Sequence, residues 1–279
     1  YSSAASDVYK RQVIKAALDN HTEHLVISLG GIGSFDGGAG MLQALGARFY
    51  DDEAQIVDMR KGADLIKYIR RIDLSGVHPQ LAKVNIQLMS DFSSRLYGKK
   101  SEIMQTYESL DLSQNEAAEI DNLIWYFSEL FKNELKIAMG PIERGGAGGG
   151  IAAVLNSLYQ AEILTSHELV NQITHLENLI QQADLIIFGE GLKEEDQILE
   201  TTTIRIAELT QQYNKPAIAI CATNDKFDLF ESLNVTAMFN TFIDMPDSYT
   251  DFKMGIQIRH YTVQALKLLK TQINLPLSS

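Results

Sequence analysis

Four short runs rich in Val, Ile, Leu and Phe, at residues 24–29, 184–188, 217–221 and 237–243, constrain the fold of this chain more than any other feature. Each is nearly continuous in apolar character rather than alternating, the pattern of a strand covered by helices on both faces. Helical patterns at 13–20, 38–45, 151–161, 167–182, 202–213 and 251–273 separate them. This βα alternation predicts an α/β fold with a doubly wound, mostly parallel, Rossmann-like sheet. Cys221, at the end of the third run, reads as a small buried hydrophobe. Met254, Ile258, Tyr261, Ala265 and Leu269 read as the core face of the last helix.

The middle of the chain differs. Residues 84–90, VNIQLMS, alternate apolar and polar after a charged stretch over 51–71, which predicts a strand with one polar face. A second, smaller α/β lobe is therefore expected over 50–112, with 13–49 and 113–279 forming the main domain. A long helix over 113–135 carries Ala117, Ile120, Leu123, Ile124, Phe127 and Leu130 on one side. Residues 1–12, YSSAASDVYKRQ, fit no amphipathic pattern and read as a non-native tail, with the main domain truncated upstream.

Charge and cysteine content narrow the function classes. Against 36 Asp and Glu there are 24 Lys and Arg, a net charge of −12, so no basic footprint for nucleic acid or anionic membrane is expected. The single Cys excludes an internal disulfide, and no Cys/His cluster has zinc spacing, which points to a reducing, cytoplasmic location. The longest apolar runs fall far short of the roughly 20 residues that span a bilayer. A small-molecule substrate is the expected partner.

Ligands of open α/β sheets collect beyond the carboxyl ends of the strands. After the first run comes GGIGSFDGGAG, residues 30–40, leading into a helix. Its glycines either let backbone approach an anion or only satisfy a turn, and Asp36 either serves Mg²⁺ or a hydroxyl proton, or caps the helix. A second glycine-rich segment, 145–150, precedes the helix IAAVLNSLY, with Arg144 ahead of it as a possible clamp on a carboxylate or phosphate. Five glycines in six positions exceed the needs of a turn, and favour close contact with a phosphate or another backbone. After the second apolar run, Gly189-Glu190-Gly191 presents a carboxylate between two glycines. Asp91, after the alternating strand, is a further candidate carboxylate or a strand-end cap. The His residues are scattered, and His21 and His24 read as surface.

The segments GGIGSFDGGAGMLQALGARFYD, RIDLSGVHPQLAKVNIQLMSD, GGAGGGIAAVL and ADLIIFGEG followed by KPAIAICAT resemble, in the same order, the bacterial glycerate kinase family, from Val13 onward. The block DGGAGMLQALGARF is the most specific of them. The resemblance implies a two-lobed α/β kinase that transfers the γ-phosphoryl group of ATP, with Mg²⁺, to a hydroxyl of D-glycerate. Carried onto this chain, it implies that Gly30, Gly31, Ser34, Gly37, Gly38, Arg144, Gly146, Gly148, Gly149 and Gly191 bind substrate or phosphate. Asp36, Asp91 and Glu190 become the catalytic candidates, with Asp36 and Glu190 as Mg²⁺ ligands. The chain departs from the family pattern at Ile32 to Phe35, at Phe92 to Leu96, and at Leu192 and Glu200-Thr201, where an Arg and a Gly-Lys pair are replaced. Those lost cations make a fold-retaining binding or regulatory module without turnover the alternative reading.

Overall fold

The computed structural model describes residues 13–29, 34–190, 202–222, 227–240 and 251–272, with backbone alone at 190, 251–254 and 268–272. It divides into two compact units, Tyr1–Ser166 and His167–Ser279. The first contains a helix over 13–19 (α1), β1 (His24–Ser28), α2 (Ala39–Ala44), β2 (Arg48–Tyr50), β3 (Arg71–Asp73), β4 (Asn85–Met89), α3 (Glu102–Thr106), α4 (Gln114–Leu135), α5 (Ile151–Tyr159) and β5 (Glu162–Leu164). There follow α6 (Ser166–Thr174), α7 (Leu176–Gln182), β6 (Ile186–Glu190), α8 (Thr202–Gln212), β7 (Ala217–Cys221), α9 (Phe227–Ser232), β8 (Ala237–Asn240) and α10 (Asp251–Gln272).

The expected α/β class with parallel sheets is present, but its strands are shared between two sheets. One has the order β1-β4-β5 and the other β6-β7-β8, all parallel, while β2 and β3 form an antiparallel pair. The expected lobe over 50–112 is not set apart from β1. Its strand β4 is the central strand of the first sheet, with Leu25 beside Ile86 and Leu88 beside Ile163. The alternation that suggested a separate lobe has a local cause. Ile86 and Leu88 are buried on one face, while on the other Gln87 Nε2 donates to Glu162 Oε2 across the strands (2.9 Å). The first sheet thus leaves one face partly open, and Val26 on β1 is 49% exposed. By contrast every residue of β7 is buried, as its unbroken apolar run requires.

Helix α4 supports the first unit. Ser113 caps it, accepting from the Glu116 amide while Glu116 Oε2 accepts from the Ser113 amide, a reciprocal capping box. Its buried face carries Ala117, Ile124, Phe127 and Phe131. Phe127 packs edge-on against Phe49 and Phe131, with ring centroids 5.8 and 5.0 Å apart.

In the second unit the single helix expected over 167–182 is two helices, broken at His175, whose φ of 53° places it in the left-handed region. Strand β6 runs on through Gly189 and Glu190, paired with Ile220 and Cys221, so these two residues belong to the strand rather than to an exit loop. Phe188 meets Phe230 edge-on at 5.4 Å, and Cys221 is buried as expected. On α10, Ala265 is buried and Tyr261 stacks on Phe239, whereas Ile258 is 41% exposed and the side chains of Met254 and Leu269 lie outside the described residues.

Replacing Phe127 by Ala removes a fully buried ring shared by two aromatic contacts. The expected loss is about 3–5 kcal/mol of first-unit stability in urea unfolding, and a loss below 1 kcal/mol would contradict the packing described.

Candidate functional site

The three strands of the first sheet end in step. The Leu29 amide donates to the Met89 carbonyl (2.9 Å) and the Ser90 amide to the Leu164 carbonyl (2.8 Å), so the chain leaves β1, β4 and β5 along one edge. Asp36, in the loop after β1, is 5% exposed. Its Oδ1 accepts from the Gly38 amide and its Oδ2 from the Gly40 amide, each at 2.9 Å. Gly37 and Gly38 take left-handed φ values of 65° and 82°, which aim those amides back at the carboxylate ahead of α2. A carboxylate on unpaired amides at a helix N-terminus is favourable in both hydrogen bonding and dipole terms. Asp36 therefore organises the loop.

The glycine-rich segment 145–150 is buried throughout and packs against that loop. The Gly37 amide donates to the Gly149 carbonyl at 2.8 Å. A Cβ on Gly149 would stand 1.6 Å from the Ser34 carbonyl oxygen, and one on Gly150 2.5 Å from Gly37 Cα. One on Gly146 would stand 2.2 Å from the Arg95 carbonyl oxygen. Three loops are pressed backbone against backbone, and no side chain fits between them. Of the readings left open by glycine content, contact with another backbone accounts for Gly146, Gly149 and Gly150, while Gly37 and Gly38, with left-handed φ ahead of an Asp36 that accepts from the Gly38 and Gly40 amides, fit the turn-and-cap reading.

Glu102 carries no local sequence signal. It follows Ser101, whose Oγ accepts from the Met104 amide and starts α3, and it is partly buried with Oε2 accepting from the Gly149 amide at 3.2 Å. Burial pushes its carboxyl up to about 7, against the pull of the Gly149 and Gly148 amides, which favour the charged form. In sequence it is one acid after two lysines, and only the fold brings it to the glycine loop. Ser94 Oγ, 1% exposed, has no hydrogen-bond partner among the described residues and lies 2.7 Å from where a Gly146 Cβ would be.

The other candidates are dispersed. Asp91 is exposed and its Oδ1 accepts from the Ser166 amide (2.7 Å), tying the exit of β4 to that of β5 as a cap. Arg144 is half-buried with a left-handed φ of 55°, and its carbonyl accepts from the Ala147 amide at the start of the glycine turn. Ser34 takes part through its carbonyl, and Gly148, with φ 65°, sits in the middle of the turn. Glu190 belongs to the second sheet, so the carboxylates expected on one sheet edge belong to two sheets. Gly30, Gly31, Gly191 and the Glu190 side chain lie outside the described residues. Among the described residues no group of three His, Cys, Asp or Glu is placed to hold a metal ion, and both oxygens of Asp36 face backbone amides.

A raised carboxyl carries a sign. Glu102 contributes its full stability below the unfolded value of about 4.5, and this is lost as pH rises through about 7. The loss is at most about 3 kcal/mol, less whatever solvent screening removes from a partly exposed group. Glu102→Gln should therefore match the wild type near pH 4.5 and exceed it above pH 7 by about 1–3 kcal/mol. Parallel pH profiles for the two proteins in chemical unfolding would refute this.

The sequence matches the family model of the glycerate kinase family over residues 11–257. It is 31% identical over 212 residues to a glycerate kinase of Halalkalibacterium halodurans, covering 76% of this chain and 55% of that protein. It is 28% identical over 230 residues to the glycerate 2-kinase of Escherichia coli K12, covering 82% and 60% respectively. A crystal structure described as that of a candidate glycerate kinase 2 from Salmonella typhimurium LT2 superposes with a TM-score of 0.78 at 27% identity, over 95% of this chain and 69% of that one. This chain spans little more than half the length of the curated relatives it matches. With the family model matched along nearly the whole chain, and the DGGAG block in the loop after β1, the protein belongs to the glycerate kinase family.

Proposed function

We propose that the protein phosphorylates a hydroxyl of D-glycerate, with ATP as donor. The observation that carries this is the placement of the family's most specific block. DGGAGMLQALGARF begins at Asp36 in the loop after β1, and its glycines lock onto the glycine-rich turn ahead of α5. The relatives named above carry the names glycerate kinase and glycerate 2-kinase, which supports the substrate class.

In the reaction the hydroxyl oxygen bonds to the γ-phosphorus, the bond from that phosphorus to its bridging oxygen breaks, ADP leaves, and the hydroxyl proton passes to an acceptor. Such a transfer depends on positioning and on amides and cations facing the developing charge. Asp36 acts here by holding the amides of Gly38 and Gly40, and Asp91 by fixing the exit of β4 to that of β5. Following the family pattern, we assign glycerate or phosphate contacts to Gly30, Gly31, Ser34, Gly37, Gly38, Arg144, Gly146, Gly148, Gly149 and Gly191, and keep Glu190 as a catalytic and Mg²⁺ candidate; Gly30, Gly31, Gly191 and the Glu190 side chain lie outside the described residues. Mg²⁺ enters as the companion of the triphosphate. A cytoplasmic location accords with ATP as donor. Among the described residues no helix is long and apolar enough to cross a membrane.

The test is an assay of ADP release and of ³¹P NMR signals from the longest natural form of the protein, with ATP, Mg²⁺ and D-glycerate. Phosphoglycerate formed at the rate of ADP release, and lowered at least 10-fold by Asp36→Asn, is the expected result. A folded protein that binds glycerate or nucleotide without turnover would overturn the kinase assignment in favour of a binding module.

A further inference from the structure

Every amide of the buried turn over 145–150 has an acceptor. Four use backbone carbonyls: Gly145 donates to Ile142, Gly146 to Ser94, Ala147 to Arg144 and Gly150 to Gly146. The Gly148 and Gly149 amides turn instead to the Glu102 carboxylate, the Gly149 contact measuring 3.2 Å. A buried amide without an acceptor is unfavourable, so α3 completes the turn with a side chain where the main chain offers nothing. Gly149 is also the residue whose carbonyl accepts from the Gly37 amide at 2.8 Å. It stands between two holds, Glu102 on its amide and the Asp36 loop on its carbonyl. The Ser34 carbonyl presses on its Cα, so it has no room to shift toward the loop when a partner is lost.

The hold depends on protonation. Ionised, the carboxylate is acceptor-only and serves both amides; protonated, one of its oxygens carries a donor and faces an amide that also donates. Burial and these two amides shape the ionisation, and no charged side chain contributes to it. Asp36, on the loop after β1, is occupied by the Gly38 and Gly40 amides. On α4, which packs against α3, Asp121 accepts from the Gly98 amide, and Arg95 donates to the Pro141 carbonyl. Lys99 and Lys100 are exposed, and Arg144 stands ahead of Gly145.

We propose that Glu102 is a positioning residue: its ionised carboxylate holds the Gly148 and Gly149 amides and, through Gly149, fixes the register of the Asp36 loop, so that phosphoryl transfer follows the protonation of this side chain. The effect on turnover rests on the kinase reading, whereas the hold on the turn does not. Global and local effects of the charge run in opposite directions. Ionising this buried carboxyl lowers the stability of the unit as pH rises through about 7, while the same charge tightens the two amide contacts. A side chain that acted only through stability would move both the same way.

The experiment compares wild type, Glu102→Gln and Glu102→Ala in the longest natural form of the protein, by amide hydrogen exchange and by the pH profile of kcat/KM for glycerate. Corrected for intrinsic exchange, protection at Gly148 and Gly149 in the wild type is expected to rise about 10-fold as pH passes through about 7, while Ala147 and Gly150, on backbone carbonyls, stay level. Glu102→Ala should lose this protection at both amides, and Glu102→Gln, which keeps one acceptor oxygen, at one of them. Wild-type kcat/KM should rise over the same range. Glu102→Gln should give a flat profile, about 10-fold lower above pH 7, although it is the more stable protein there. Unchanged protection in both variants, or a wild-type pH profile retained by Glu102→Gln, would overturn the proposal. The expected protection pattern in a protein without turnover would retire the kinase reading and leave the hold on the turn standing.

Discussion

The edge of the first sheet depends on one backbone contact, the Gly37 amide on the Gly149 carbonyl. It joins a loop that leaves β1 to a turn that enters α5, more than a hundred residues later in the chain. For that bond to form, both segments must give up side chains, and the clashes a Cβ would meet at Gly149 and Gly150 show how little space remains. Asp36 then becomes necessary, because a loop of left-handed glycines has amides that helix α2 cannot use and that something must accept. Ser34, Arg95 and Ser94 are drawn to the same place by their carbonyls and one hydroxyl. Few charged side chains approach, so the character of this edge is set by main-chain dipoles.

Much of the architecture was legible in the sequence because it rests on local rules. The strand at 217–221 was readable from its unbroken apolar run, and the helix at 113–135 from the spacing of its apolar residues. What was not legible is pairing. Strand β4 looked like part of another lobe because Asn85 and Gln87 interrupt its apolar residues, and only its partners β1 and β5 show that those polar positions lie on one face of the same sheet. Strand β5, at Glu162–Leu164, is too short to leave a periodic signal. The break at His175 was hidden by apolar positions that continue in helical spacing across it.

The candidate site divides along the same line. Glycine content marked the two loops correctly as special, but composition cannot tell an opening for a phosphate from a close approach of two chains. Asp36 could be picked out because it stands within the glycines. Glu102 could not, since its importance comes from being carried by α3 to a turn some 47 positions away, and nothing in its neighbours Lys99, Lys100 and Ser101 encodes that distance.

The aromatic core also reaches this edge. A Cβ on Gly37 would lie 2.9 Å from Cδ1 of Phe127, so the ring that anchors α4 against Phe49 also forms the floor beneath the Asp36 loop. The loop consequently has no slack of its own: a small change of ring angle on α4 translates into a shift of the Gly37 amide. Evolution of the hydrophobic interior and evolution of the loop are thus a single problem, and a lineage that remodels its aromatic layer also retunes the spacing of the amides above it.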